Sequence, residues 1–331
     1  MRVSIITEGF QNTGYGHITR CLSLYEAFEE KSIYPTLYIN GDSKIKFIIE
    51  GTNYKLINWL DHPALLIEEI NKSDIIIIDS YLANKAFYDN LASLCEIILI
   101  IDDYMRLDYS SGIILNGTIN AETFPYPRRP NLEYLLGTKF IPVRKEFWNV
   151  NKRKFRKEIE SILLTYGGQD VRGLIIPTVK AIKDYKPNLN MKVVIGNKPN
   201  DEATKLLDKY KYVEICHSLS GEEMKELMIN CDIAISGAGQ TLYELAATGT
   251  PTVAIEISDN QKYNISEWNK AGFVLDPICY NDIKFENKII EQIERLRGIK
   301  IREKISKIGK FYVDGQGSRR VVNYLLDKLK K

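Results

Sequence analysis

Short apolar runs alternate with amphipathic segments along most of the chain. The runs at 75–78 and 97–101 are apolar on both faces, which is typical of strands buried inside a parallel sheet. The segments between such runs, for example 84–95, carry apolar residues at the three- and four-residue spacing of a helix. This alternation predicts an α/β protein built from doubly wound parallel sheets with right-handed crossovers.

The alternation is interrupted between positions 125 and 157, where prolines accompany basic and aromatic residues. A second alternating series follows, so the pattern predicts two Rossmann-like domains. We expect an N-terminal domain over 1–142, a linker over 143–158 and a C-terminal domain over 159–309. The remaining segment, 310–331, is predicted to contain a long amphipathic C-terminal helix, which could pack back on the first domain.

Composition narrows the class of protein. The chain has 331 residues, of which 44% are apolar and 27% charged, as in soluble proteins with two ordinary domains. A net charge of +2 gives no support to bulk binding of nucleic acid. The apolar runs are too short to cross a bilayer, the five cysteines are well separated, and the chain begins with a strand rather than a secretory signal. We therefore expect a cytoplasmic protein with free thiols, no integral membrane segment and, by default, a monomeric state.

A glycine-rich loop near the amino terminus carries the first candidate for chemistry. In the motif GYGHITR, at 14–20, Gly14 and Gly16 allow a ligand to approach the backbone closely, and His17 opens a helix. The loop follows the carboxyl end of a strand, where open parallel sheets bind their ligands. His17 is therefore a candidate for a catalytic base, although it could instead cap its own helix or pack beneath the turn.

Two acidic loops follow later strands of the same domain. The sequences Asp79-Ser80-Tyr81 and Asp102-Asp103-Tyr104 come directly after apolar runs. A carboxylate from either loop could orient the His17 imidazole and raise its basicity. The alternative is that each acidic residue only caps a helix.

The second domain contains a strand, a small-residue loop and a helix in succession at 236–249, with the sequence SGAGQTLYELAATG. The helix N-terminus could bind a diphosphate through free N–H groups. Glu244 lies about one turn further along, where it could accept hydrogen bonds from both ribose hydroxyls or could simply face solvent. The pair Gly167 and Gly168 could also expose N–H groups to a phosphate. Asn260 and Gln261 open a later helix, where they could bind a sugar or serve only as helix caps.

Other chemistries find no support in the residue pattern. No group of His, Cys, Asp and Glu has the spacing of a metal site, and the chain has no GxSxG motif. Neither a catalytic metal nor an organic cofactor is expected.

Five motifs, taken together and in order, resemble a known family. They are GYGHITR, GTKFIPVRKEF at 137–147, TYGGQD, SGAGQTLYELAATGTP and DNQKYN. The resemblance is to the UDP-2,4-diacetamido-2,4,6-trideoxy-β-L-altropyranose hydrolases of pseudaminic acid biosynthesis and to their relatives in spore-coat polysaccharide synthesis. It extends more distantly to the inverting glycosyltransferases that make lipid II.

The resemblance implies a glycosyltransferase B fold, in which two Rossmann-like domains face a cleft and the second holds UDP. It also implies metal-independent hydrolysis of a UDP-sugar with inversion at the anomeric carbon, and no cofactor. An imidazole ordinarily titrates near neutral pH, so a histidine could activate the attacking water. The implied residues are His17 as the base, Gly14, Gly16, Arg20, Tyr81, Asn260 and Gln261 at the sugar, and Gly167, Gly168, Ala238, Gly239, Gln240, Thr241 and Glu244 at the nucleotide.

Two other functions are compatible with the same motifs. An inverting glycosyltransferase would use His17 to activate an acceptor hydroxyl instead of water, on the same fold and loops. A nucleotide-sugar-binding subunit would use the second domain without catalysis. The sequence does not identify the substituents of the sugar.

Overall fold

The computed structural model describes residues 1–10, 15–42, 45–46, 48–167, 170–196 and 201–330, with only the backbone described at 201–203. The chain divides into two compact units. The first comprises Met1–Lys145 together with Gly315–Lys331, and the second comprises Glu146–Asp314. Each unit is built around a parallel sheet flanked by helices, so the predicted fold class is confirmed.

The strands of the first unit form a sheet with the order β3-β2-β1-β4-β5-β6-β7. Those of the second unit form a sheet with the order β10-β9-β8-β11-β12-β13. In both, the chain starts in the middle and moves outward in two directions, which is the doubly wound pattern. The strands are β1 (Val3–Gly9), β2 (Thr36–Gly41), β3 (Tyr54–Leu56), β4 (Ile75–Asp79), β5 (Ile97–Ile101), β6 (Gly112–Asn116), β7 (Leu132–Leu136), β8 (Ser161–Thr165), β9 (Asn190–Ile195), β10 (Val213–His217), β11 (Ile233–Gly237), β12 (Thr252–Glu256) and β13 (Ile278–Cys279).

Helices connect most of the strands and cover the sheets. They are α1 (Gly16–Glu29), α2 (Pro63–Ile70), α3 (Lys85–Ala92), α4 (Ile175–Tyr185), α5 (Asp201–Leu207), α6 (Gly221–Asn230), α7 (Gln240–Thr248), α8 (Lys262–Ala271), α9 (Phe285–Arg295), α10 (Ile299–Tyr312) and α11 (Gly317–Leu329).

The register of the first sheet brings the ends of its central strands to one edge. Thr7 of β1 pairs with Asp79 of β4, and Asp79 pairs in turn with Ile101 of β5. The carboxyl ends of β1, β4 and β5 therefore lie side by side. This shared edge is where both acidic loops meet the start of α1.

Within 310–331, the structure has the end of one helix and the whole of a second. Helix α10 ends at Tyr312, and Gly315 takes a left-handed conformation with φ of 79° before α11 begins at Gly317. Such a residue ends a helix and turns the chain. Helix α11 then packs within the first unit, where the hydroxyls of Ser318 and Ser23 lie 2.6 Å apart.

Two further properties bear on the predicted class of protein. No helix in the described residues combines the length and apolarity needed to cross a membrane. The five cysteines are free in the structure.

Candidate active site

His17 lies in the first turn of α1, beside the carboxyl edge of the first sheet. Its Nδ1 is buried, 3.6 Å from a carboxylate oxygen of Asp79 and 3.9 Å from one of Glu8. The side chain as a whole is 20% exposed, so solvent reaches the ring at atoms other than Nδ1. The N-cap of α1 is Tyr15, and the histidine therefore does not cap its own helix.

A buried ionic network surrounds this imidazole. The Arg20 guanidinium, on the next turn of α1, donates from Nε and Nη2 to the two oxygens of Asp79, the latter at 2.7 Å. Its Nη1 donates to Asp103 at 2.6 Å. Burial raises the pKa of the Asp103 carboxyl. The charge and the hydrogen bond of Arg20 lower it by more than burial raises it, so the pKa lies below its usual value. Asp103 is therefore held as a carboxylate.

Tyr81 links the same network to the His17 ring. Its hydroxyl donates to Asp103 at 2.7 Å, and its ring meets the imidazole edge to face with centroids 4.3 Å apart. Burial and the Asp103 charge raise the pKa of the Tyr81 phenol well above its usual value. Tyr81 consequently remains protonated and acts as a hydrogen-bond donor at any ordinary pH.

Glu8, at the end of β1, positions the turn that carries Tyr81. Its carboxylate accepts the backbone N–H groups of Tyr81 at 2.7 Å and Leu82 at 3.2 Å, together with the Ser80 hydroxyl. Sequence reasoning missed this residue. The available signal was an acidic residue near the end of a strand that is buried throughout, in which Glu8 is 5% exposed.

The two acidic loops differ in role. Asp102 accepts backbone N–H groups of its own turn, from Tyr104 at 3.2 Å and from Arg106 at 2.8 Å, and so stabilises the turn between β5 and β6 instead of capping a helix. Asp79 instead faces His17 and Arg20. Only one of the two loops thus places its first carboxylate against the imidazole.

The remaining predicted residues of the first unit can be located in part. Gly16 is the first residue of α1, and a Cβ built on it would meet no atom within 4 Å. Arg20, expected at the sugar, has its guanidinium bonded to two carboxylates and is only 6% exposed. We therefore propose a positioning role for it. Gly14 lies outside the described residues.

In the second unit, β11 passes through Ala238 and Gly239 into α7. Ala238 is tied to the neighbouring strand end, because its N–H donates to the Ile255 carbonyl at 3.0 Å. Gly239 is the N-cap and has no side chain with which to cap the N–H groups of the first turn, which begins with Gln240 and Thr241. The first turn also contains no acidic residue. An anion at this N-terminus would therefore meet the positive end of the helix dipole.

Glu244 is buried in α7, with 4% of its surface exposed. The alternative in which it faces solvent does not hold. The helix ends at Gly249, which takes a left-handed conformation with φ of 65°. A Cβ added at this glycine would lie 2.3 Å from the Ser306 hydroxyl oxygen, so α10 passes close to this end of α7.

Amide side chains fix the loop after β12. Gln261 accepts the backbone N–H of Ile257 at 3.0 Å, and Asn260 accepts the Ser258 hydroxyl at 2.6 Å. The amide nitrogen of Asn264 donates to the Ala238 carbonyl at 3.0 Å and thereby joins this region to the loop before α7. Gln261 is the N-cap residue of α8, but its side chain braces the preceding turn and makes no capping hydrogen bond to the helix.

The glycine pair after β8 is described in part. Gly167 takes a left-handed conformation with φ of 85°, and its N–H donates to the Thr165 hydroxyl at 3.4 Å. Gly168 lies outside the described residues. Asp170 caps the following helical segment by accepting the N–H groups of Leu174 and Ile175 at 2.8 and 2.9 Å.

A metal site can be tested on the side chains that the structure describes. Within those ranges, no group of three or more His, Cys, Asp or Glu residues could hold a metal ion. The structure brings His17, Arg20 and Tyr81 together in the first unit. It gathers Ala238–Glu244, Asn260 and Gln261 on adjacent loops of the second.

The class of protein follows from the two sheets and from solved structures with the same fold. MurG of Acinetobacter baumannii aligns with 98% of this chain and 99% of its own, with a TM-score of 0.67 at 15% identity. A Staphylococcus aureus MnaA–UDP co-structure aligns with 99% of this chain and 97% of its own, with a TM-score of 0.68 at 14% identity. The chain therefore has the glycosyltransferase B fold, as predicted.

Similar sequences carry more specific names. The spore coat polysaccharide biosynthesis protein SpsG of Bacillus subtilis is 24% identical, over 99% of this chain and 98% of its own. A Helicobacter pylori protein named pseudaminic acid cytidylyltransferase and UDP-2,4-diacetamido-2,4,6-trideoxy-β-L-altropyranose hydrolase is 27% identical, over 82% of this chain. The match spans 47% of that longer protein. These names confirm the resemblance predicted from the motifs.

A third relative is an uncharacterised protein of Methanocaldococcus jannaschii, 26% identical over 95% of this chain and 69% of its own. No family model matches the chain.

Proposed function

We propose that the protein is a nucleotide-sugar hydrolase that releases UDP and a free diacetamido-trideoxy sugar with inversion at C1. The observation that carries the proposal is the setting of His17. Its Nδ1 faces the carboxylates of Asp79 and Glu8, while other atoms of the ring remain accessible to solvent beside Tyr81. This is the arrangement expected of a general base oriented by a third group.

The carboxylates decide how the imidazole works. They favour the tautomer with its proton on Nδ1, which leaves the Nε2 lone pair to act as the base. They also stabilise the imidazolium that forms when Nε2 takes a proton, as the aspartate of a catalytic triad does. Arg20 holds Asp79 in place through two hydrogen bonds, so the carboxylate cannot turn away from the ring.

In the proposed reaction, Nε2 of His17 removes a proton from a water molecule. The water oxygen attacks C1 of the sugar as the bond from C1 to the β-phosphate oxygen breaks. UDP leaves with the electron pair of that bond, and the attack from the opposite face inverts C1. We assign UDP to the second unit, with the diphosphate at the α7 N-terminus and Glu244 at the ribose.

The comparisons support this activity at two levels. The name of the Helicobacter pylori relative contains two activities, a cytidylyltransferase and a hydrolase. Of these two, the hydrolase acts on a glycosidic bond. Several fold neighbours are named glycosyltransferases, such as the calicheamicin glycosyltransferase CalG4, and enzymes of that class break the same type of bond. The S. aureus neighbour is a UDP co-structure, which supports UDP as the nucleotide. The alternative of an inverting glycosyltransferase rests on the same fold neighbours and needs an acceptor.

The test is turnover without an acceptor. The wild-type chain is incubated with UDP-2,4-diacetamido-2,4,6-trideoxy-β-L-altropyranose, and NMR follows UDP, free sugar and the first anomer formed. We expect equal amounts of UDP and sugar, and inverted anomeric configuration. UDP release that begins only when a sugar acceptor is added would instead establish a transferase.

A second measurement tests the base. We expect H17Q to lower kcat by about 10²- to 10⁴-fold, the usual contribution of general base catalysis, with the Kd of UDP unchanged in calorimetry. The matched control is H62Q, because His62 is exposed at the start of α2. Wild-type turnover by H17Q would refute the assignment of His17.

A further inference from the structure

Tyr104 is an exposed aromatic side chain next to the proposed catalytic pair. It follows the two aspartates after β5, and 42% of its surface is exposed. Its ring meets the Tyr81 ring edge to face, with centroids 5.3 Å apart and planes at 71°. Tyr81 in turn contacts His17. The three rings of His17, Tyr81 and Tyr104 therefore contact one another in sequence, and Tyr104 is the exposed end of the series.

The turn that presents Tyr104 is held firmly on both sides. The Asp102 carboxylate accepts the N–H groups of Tyr104 and Arg106. The Arg106 guanidinium donates to the Ala83 carbonyl at 2.8 Å, which ties this turn to the one that carries Tyr81. Between them, Met105 has a φ of 56°, a left-handed conformation that is costly for a residue with a side chain. The backbone thus maintains an unfavourable conformation while presenting an exposed tyrosine.

The surrounding charges indicate what this ring can bind. Among the described side chains around His17 and Tyr104, the carboxylates of Glu8, Asp79, Asp102 and Asp103 outnumber the guanidinium groups of Arg20 and Arg106. The Arg20 guanidinium is buried and bonded to two of these carboxylates. A negatively charged sugar would therefore be repelled here.

Apolar surface accompanies the negative charge. Leu82, next to Tyr81 on the neighbouring turn, is 51% exposed. Aromatic and aliphatic side chains bind the apolar faces and methyl groups of a ligand.

We infer that Tyr104 is a specificity-determining residue that contacts the sugar of the nucleotide-sugar donor, and that the carboxylates around it select against anionic sugars. The inference rests on the proposed function, since it places the sugar beside His17. It adds a binding residue and a selectivity against anionic sugars. Tyr104 acts through its ring, whereas Tyr81 acts through its hydroxyl.

The kinetic test compares Y104A with the wild type on the diacetamido-trideoxy donor. We expect KM to rise about tenfold, the effect of losing about one well-packed aromatic contact, with kcat changed by less than about threefold. Y104F retains the ring and should recover most of the lost affinity. Y34A is the matched control, because Tyr34 is 69% exposed in the connection between α1 and β2, at the amino end of the strand. An unchanged KM in Y104A, with an unchanged melting temperature, would overturn the inference while leaving the hydrolase intact.

A binding test separates this inference from the proposed function. Calorimetry with the H17Q chain measures the Kd of the same donor and of UDP-glucuronate, whose sugar is anionic. We expect the neutral donor to bind at least about tenfold more tightly, and Y104A/H17Q to bind this neutral donor more weakly while the carboxylates continue to disfavour the anionic one. Equal affinity for the two donors refutes the inference. Selective binding without UDP release by the wild type would refute only the hydrolase.

Discussion

Arg20 offers the sharpest test of the ionic network beneath the candidate site. The substitution R20M removes the guanidinium and retains much of the side-chain volume. It deletes three hydrogen bonds and leaves two carboxylates near each other, of which Asp79 is fully buried and Asp103 is 21% exposed. Leaving such a charge without its partner costs about 3–5 kcal/mol. That is a large share of the roughly 5–15 kcal/mol that stabilises an ordinary domain.

A second ion pair of the first unit is the natural control. Arg319 of α11 forms a salt bridge to Glu30 at 2.6 Å, but the two side chains are 28% and 32% exposed. Solvent screens such a pair, so R319M should lose less than about 1 kcal/mol. Urea denaturation followed by circular dichroism measures both variants. Equal losses in R20M and R319M would refute the reasoning, because burial would then not determine the contribution of the pair.

Three further predictions concern pH, packing and nucleotide binding. The pKa of Asp103 is lowered on folding, so the carboxylate stabilises the fold above its unfolded pKa of about 4. This stabilisation is lost as pH falls through the lower folded pKa. When the free energy of unfolding is measured against pH, D103N should therefore lose less stability below pH ~4 than the wild type does. G317A should lower the melting temperature, because a Cβ at Gly317 would lie 2.1 Å from the Ile141 carbonyl oxygen, whereas G16A, which meets no atom, should not. E244Q should raise the Kd of UDP about tenfold in calorimetry if Glu244 accepts the ribose hydroxyls, since a charged acceptor is replaced by a neutral one.

Hydrophobic periodicity was sufficient to predict most of the sheets, because parallel strands buried on both faces are continuous apolar runs. It failed where that signal is weak. Strand β7 follows three prolines within six residues and lies at the sheet edge, so its segment was assigned only to a domain boundary. No helix was assigned between 272 and 309, although Phe285, Ile289 and Ile293 recur every four residues and are buried in α9.

The candidate site was predictable to the extent that its residues close strands or open helices. His17, Tyr81 and Glu244 were proposed in this way, and so was a carboxylate from the Asp79 loop beside His17. The pairing of Arg20 with Asp103 was not, because it joins positions 83 residues apart and depends on how neighbouring strands are aligned. Glu8 and Tyr104 were missed for a related reason. One appears as the end of a strand and the other as part of a turn, and only their contacts reveal a role.

The charge of the first unit bears on where the nucleotide binds. A diphosphate beside His17 would face the carboxylates of Glu8, Asp79 and Asp103, and two like charges 4 Å apart repel by about 4 kcal/mol at the effective dielectric constant of a protein surface. The α7 N-terminus has no acidic residue in its first turn and carries the positive end of a helix dipole. Electrostatics therefore favours our assignment of UDP to the second unit and of the neutral sugar to the first. If the substrate is divided in this way, the negative charge that would repel a diphosphate also stabilises the imidazolium formed when His17 deprotonates water. The network around Arg20 then serves both selectivity and catalysis.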